Sequence, residues 1–137
     1  MAEIGGTEMV KDEKKILVVD DDQLSLFVVG EYLDGTDYKY DFAENGDQAW
    51  NMLLEAPDKY SVIVLDRMMP RIDGIEILTR IKKEPTMAHI PVILQTAKAT
   101  KEDYQEGTDA GAFYYLTKPF DKHLFLKVLN DALSQLD

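Results

Sequence analysis

The sequence predicts a doubly wound α/β fold: a five-stranded parallel sheet in the order 2-1-3-4-5, flanked by five helices. Three observations point there. Short apolar runs such as Ile16-Leu17-Val18-Val19 and Val62-Ile63-Val64-Leu65 are hydrophobic without alternation, as strands buried on both faces are. Segments with helical apolar spacing separate them, and parallel strands need such crossovers. The inner runs end in, or soon reach, a polar group: Asp20, Asp66, Thr96 and Lys118. The strand order is that of five-unit doubly wound sheets, whose switch point lies between strands one and three.

Residues 1–13 mix Gly, Thr and charges without periodicity and are expected to form a flexible lead with no packed role; the folded domain is expected to occupy 14–137. After Lys15 the first run ends in Asp20, Asp21 and Asp22. Leu24, Val28 and Tyr32, four residues apart, predict the inward stripe of a first helix, which leaves Leu26 and Leu33 outward and Phe27 at the margin. Asp22 is its expected N-cap. Weak alternation over 38–43 predicts a second strand at the sheet edge. Ala49 and Leu53, with Trp50 and Leu54, mark a second helix that breaks before Pro57.

Strand three is the run that ends in Asp66. Residues 71–74 read as a loop, and Ile75, Leu78 and Ile81 as the face of a third helix ending before Glu84-Pro85. Residues 91–95 predict strand four. Thr100 and Asp103 make a capping box for a fourth helix that reaches about Asp109, before Gly111. Residues 112–116 predict strand five. Leu124, Val128, Leu129, Ala132, Leu133 and Leu136 mark the last helix, with Asp121 as its cap.

Composition narrows the function. A chain of 137 residues is one domain's worth. Its net charge of −11 opposes non-specific binding to nucleic acid. With no cysteine, disulfides and thiolate metal sites are excluded. No apolar stretch has the length of a membrane span, and the N-terminus lacks a signal-peptide core, so the expected location is the cytoplasm with no membrane contact.

In the predicted topology the ends of strands one, three, four and five are neighbours. They bring together Asp20, Asp21, Asp66, Thr96 and Lys118. Two carboxylates about 4 Å apart repel by about 4 kcal/mol at an effective dielectric near 20, so three ionised together need a cation. All-oxygen ligation with retained waters suits Mg²⁺. There is no G-x-G-x-x-G and no G-x-x-x-x-G-K-[ST], so nucleotide cofactors and P-loop chemistry are disfavoured. The remaining chemistry is a nucleophilic Asp66, with Lys118 and Thr96 to hold phosphoryl oxygens, and the product is an aspartyl phosphate.

The motifs ILVVDDD (16–22), VIVLDRMMPRIDG (62–74), PVILQTAKA (91–99) and GAFYYLTKPFD (111–121) resemble the receiver domain of two-component response regulators, the CheY-like family. The resemblance covers about 15–136. It implies that Asp66 is the phosphoacceptor, and that Asp21, Asp66 and the backbone carbonyl of Met68 bind Mg²⁺, with Asp20 helping through water. It further implies that Thr96 and Lys118 contact the phosphoryl group. The implied donor is a phosphohistidine on a sensor histidine kinase or phosphotransfer protein. The implied switch couples Thr96 to an inward turn of Tyr115 and a rearrangement of the fourth helix, fifth strand and fifth helix. That same face implies a downstream target, a fused output domain or a homodimer. The domain would not be a turnover enzyme, since it acts only on its own aspartate. Met68 and Lys98 stand where the family tunes water access to the phosphoryl group, and bulky Met68 predicts a long-lived phosphorylated state.

Each residue also has a plainer reading. A strand-end aspartate can cap a helix, which is favoured for Asp22 but not for Asp20 or Asp21; Thr96 and Lys118 alone would be surface residues, and Tyr115 a half-buried strand aromatic. His89 and His123 are expected in solvent. The Lys118-Pro119 bond is cis in the family, while the sequence alone leaves a trans turn open. Two other functions use the same residues. One is a binding or dimerisation module with an idle acid cluster. The other is a metal-dependent phosphatase or phosphotransferase with an aspartyl nucleophile, which would place a second Asp where Met68 stands and add a cap domain. The outward apolar residues of the first helix predict a contact for a kinase or phosphotransfer helix.

Overall fold

The computed structural model describes residues 15–97 and 100–134. The elements alternate: β1 Lys15–Val19, α1 Gln23–Asp34, β2 Lys39–Ala43, α2 Gly46–Glu55, β3 Tyr60–Asp66, α3 Gly74–Lys83, β4 Val92–Thr96, α4 Lys101–Ala110, β5 Tyr114–Thr117 and α5 Lys122–Ser134, with a 3₁₀ turn at Pro57–Lys59. All strands are parallel, in the order β2-β1-β3-β4-β5. Every residue of the central strand β3 is buried, as its unbroken apolar run requires.

Side chains alternate between the two faces of a strand, and the sheet accordingly divides the core in two. Leu17, Val19, Ile63, Leu65 and Leu94 pack with Ala49 and Leu53 of α2 and Ile77, Leu78 and Ile81 of α3. Ile16, Val18, Val62, Val64 and Ile93 pack on the other side with Leu26, Val29 and Leu33 of α1 and Phe125, Val128 and Leu129 of α5. The expected caps form. Asp22 accepts from the Leu24 N–H, Asp121 from the Leu124 N–H, and Thr100 and Asp103 close a reciprocal capping box. Gly111 ends α4 at φ 103°, a left-handed turn that glycine adopts without strain.

The structure corrects the first helix. Its buried face is Leu26, Val29, Gly30 and Leu33, whereas Leu24 is 68% and Phe27 61% exposed and Val28 also faces outward. The predicted stripe was rotated because apolar residues run almost all round this helix, so four-residue spacing selects no unique face. Gly30 decides the matter: a β-carbon there would stand 3.2 Å from the ring of Phe42, and a wheel that counts only apolar residues overlooks it. Smaller shifts accompany it. Leu54 and Leu124 face outward, while Ile77 and Phe125 fill the core. β4 and β5 begin one and two residues later than expected and take in Thr96 and Thr117. The lead at 1–13, Lys98 and Leu136 lie outside the described residues. Among the described residues no helix is long and apolar enough to cross a membrane.

Candidate functional site

Asp20 emerges from β1 fully buried, and its carboxylate is held from three sides. Oδ1 accepts from the Asp22 N–H at 3.0 Å, and Oδ2 accepts from Gln95 Nε2 at 3.1 Å and Lys118 Nζ at 3.0 Å. Asp66 is the last residue of β3 and is also buried. Lys118 Nζ lies 3.5 Å from its Oδ1. Asp21 is exposed, and one carboxylate oxygen from each of Asp20, Asp21 and Asp66 lies within 4.8 Å of the others.

Electrostatics follow from this crowding. Burial, and then the charge of Asp20, push the Asp66 carboxyl up to about 7, against the pull of Lys118 and a hydrogen bond from the Met68 backbone. Burial alone would push the Lys118 ammonium down, but hydrogen bonding to Asp20 and the charge of Asp66 hold it above the usual lysine range. Among the described residues, Lys118 pairs with two of the three carboxylates, Asp20 and Asp66. The all-oxygen donor set of the three, two parts buried and one part open to water, suits a hard divalent ion that keeps some of its waters.

Thr96 ends β4, fully buried, and its carbonyl accepts the Lys118 N–H at 2.7 Å. The Lys118-Pro119 peptide is cis. Met68 projects beyond the site, 49% exposed. Tyr115 lies in β5 on the opposite side of the sheet from α1 and α5, buried rather than half-buried. The structure therefore brings Asp20, Asp21, Asp66 and Lys118 within a few ångströms of one another, places Thr96 at the adjoining strand end, and leaves Tyr115 one strand away.

Three contributors escaped the sequence reading. Gln95 orients Asp20, Ser25 lies 3.3 Å from Lys118 Nζ, and Arg67 is buried directly after Asp66. For Gln95 and Arg67 a signal existed, because each is polar at a position that strand alternation sends into the core. Beside Lys118 a groove of about 350 Å³ opens between α1 and the segment leading to α5, lined by Leu24, Val28, Tyr32, Pro119 and Phe120.

Residues 16–130 match the family described as the response regulator receiver domain. The chain is 41% identical over 109 residues to the transcriptional regulatory protein ResD of Bacillus subtilis, covering 80% of this chain and 43% of that protein. Among solved structures, the Vibrio cholerae chemotaxis protein CheY4 superposes with a TM-score of 0.80 at 29% identity, covering 88% of this chain and 98% of that one. A Mn²⁺-bound form of the response regulator Rcp1 gives a TM-score of 0.73 at 29% identity, covering 85% and 90%. The chain spans about half or less of the length of the curated relatives it matches.

Proposed function

The chain belongs to the response regulator receiver domains, and on that premise we propose that it is a switch set by transfer of a phosphoryl group from a phosphohistidine onto Asp66. The observation that carries this reading is the buried carboxylate of Asp66, 3.5 Å from the ammonium of Lys118 at the carboxyl end of the central strand. An Asp66 carboxylate oxygen attacks phosphorus. The P–N bond to the donor imidazole breaks, its electron pair stays on the ring, and a proton completes the neutral imidazole. Lys118 and the Thr96 hydroxyl hold the phosphoryl oxygens as charge shifts onto them.

The divalent ion we assign is Mg²⁺, which Asp21, Asp66 and the Met68 carbonyl would hold, with Asp20 beside them; when bound it would supply positive charge to the phosphoryl oxygens. The donor would be a sensor histidine kinase or phosphotransfer protein in the cytoplasm. Its helix would lie on the exposed apolar face of α1, Leu24, Phe27 and Val28, which borders the groove beside Lys118. The phosphorylated state is read through α4, β5 and α5 by a target protein or fused output domain. A full swing from 1:99 to 99:1 needs about 5.5 kcal/mol of preference for the active state. The domain catalyses nothing beyond the phosphorylation and dephosphorylation of its own Asp66.

Intact mass after incubation with acetyl phosphate and Mg²⁺ tests the assignment. A stable gain of one phosphate that Asp66→Ala abolishes is the expected result. No gain would favour a binding module, and catalytic release of free phosphate a phosphatase.

A further inference from the structure

Period-two alternation sends Arg67 to the face of the sheet opposite Asp66, where it meets α4. That helix is poorly anchored by apolar burial: Gly107 is its only buried residue, and its first turn carries Glu102 and Asp103. Alongside Tyr104, which packs on Tyr115 and bonds Thr117, the Arg67 guanidinium ties it to the sheet. Nη1 donates to the Tyr115 hydroxyl at 3.2 Å and lies 3.5 Å from Asp103 Oδ1, while Nη2 pairs with Glu106. Arg67 and Tyr115 are each only 7% exposed. A buried charge persists only when paired and hydrogen-bonded, and the planar five-donor fork of arginine reaches two carboxylates and a hydroxyl at once.

Tyr115 is enclosed by the same helix. The Tyr104 ring is 4.7 Å away, and a β-carbon on Gly107 would lie 2.8 Å from the Tyr115 ring, so the ring occupies the space a side chain would take. The backbone ties Arg67 to the site: its N–H donates to Gln95 and its carbonyl accepts from Gly74, both at 2.9 Å.

We propose that Arg67 is a positioning residue for the output face: it holds Tyr115 inward and draws α4 to the sheet before any phosphoryl group reaches Asp66. This rests on the reading of Asp66 as phosphoacceptor and Tyr115 as part of the switch, and adds that the inward rotamer is set by the neighbour of Asp66 rather than by phosphorylation. With Tyr115 already inward, the pairing of Arg67 with Asp103 and Glu106 is a direct link from the backbone beside Asp66 to α4.

The test is a set of aromatic NMR spectra of ¹³C-tyrosine-labelled protein, with the Tyr115 signals identified by their loss in Tyr115→Phe. In unphosphorylated wild type the Tyr115 ring signals should be dispersed from free-tyrosine positions, and they should stay there after acetyl phosphate and Mg²⁺. In Arg67→Gln and in Glu106→Gln they should move toward free-tyrosine positions, while the signals of Tyr60, buried in the same core layer, stay put. Tyr115 signals unmoved in both variants, or already at free-tyrosine positions in wild type, would overturn the proposal. If Arg67→Gln fails to fold, Glu106→Gln alone decides. Intact mass of the same samples reads the phosphoacceptor assignment separately: no phosphate gain would defeat that assignment, and the unphosphorylated spectra would still decide the role of Arg67.

Discussion

Gly74 closes directly on the backbone of Asp66: a β-carbon on Gly74 would stand 2.5 Å from the Asp66 carbonyl oxygen and 2.7 Å from the α-carbon of Arg67. The start of α3 is thus the wall behind Asp66, and the Gly74 N–H donates to the Arg67 carbonyl across that contact.

Because the obstacle is backbone, Gly74→Ala cannot be absorbed by a rotamer change. It should cost about 1–3 kcal/mol of stability, the usual range for overpacking, and slow phosphorylation by displacing Asp66. Urea unfolding and intact mass with acetyl phosphate check both; an alanine variant matching wild type in both would show that the contact yields.

In EDTA, stability should fall as pH rises from about 4 to about 7. The Asp66 carboxyl ionises near 3.8 in the unfolded chain but near 7 in the fold. Between those values the folded state binds the extra proton, so stability is full below the lower value and is lost as pH climbs through the upper one. The loss should be on the order of a few kcal/mol. Asp66→Asn should flatten the profile, and Mg²⁺ should restore stability at pH 8 by binding the ionised fold. Urea midpoints across pH 4–8 give the measurement; a profile for the Asn variant parallel to wild type would place the titration elsewhere.

Met68, exposed and without a carboxamide, has no group to orient a water toward the phosphoryl phosphorus. Met68→Asn should hasten dephosphorylation about tenfold, below the roughly hundredfold of full general-base catalysis. Decay of the phosphorylated mass with time reads this directly, and slower decay in the variant would refute it.

Leu24→Ser and Phe27→Ser should each slow transfer from a phosphohistidine donor about tenfold, the loss expected from truncating a packed interface residue by about 1.4 kcal/mol. Phosphorylation of Phe27→Ser by acetyl phosphate should be unchanged, since Phe27 is exposed and does not line the groove beside Lys118. Equal slowing with both donors would point to a folding defect. Leu26→Ser, by contrast, puts a hydroxyl into the core and should lower stability by about 2–5 kcal/mol.

The sequence by itself determined the alternation of strands and helices, the helix caps and the strand ends where the acids, Thr96 and Lys118 appear. Those are local properties: unbroken apolar runs, capping residues and turn chemistry act within a few residues of one another. Tertiary structure decided which side of α1 is buried, because apolar residues run over most of that helix and packing on the sheet selects Leu26, Val29 and Leu33, with Gly30 close against Phe42. It also decided the environment of Asp66, whose carboxyl is raised by burial and by a neighbour 46 residues away in the chain. Arg67 shows the division most sharply. In the sequence it is one charge in a loop-bound motif, and only the packing of α4 over β5 gives its guanidinium Tyr115, Asp103 and Glu106 as partners.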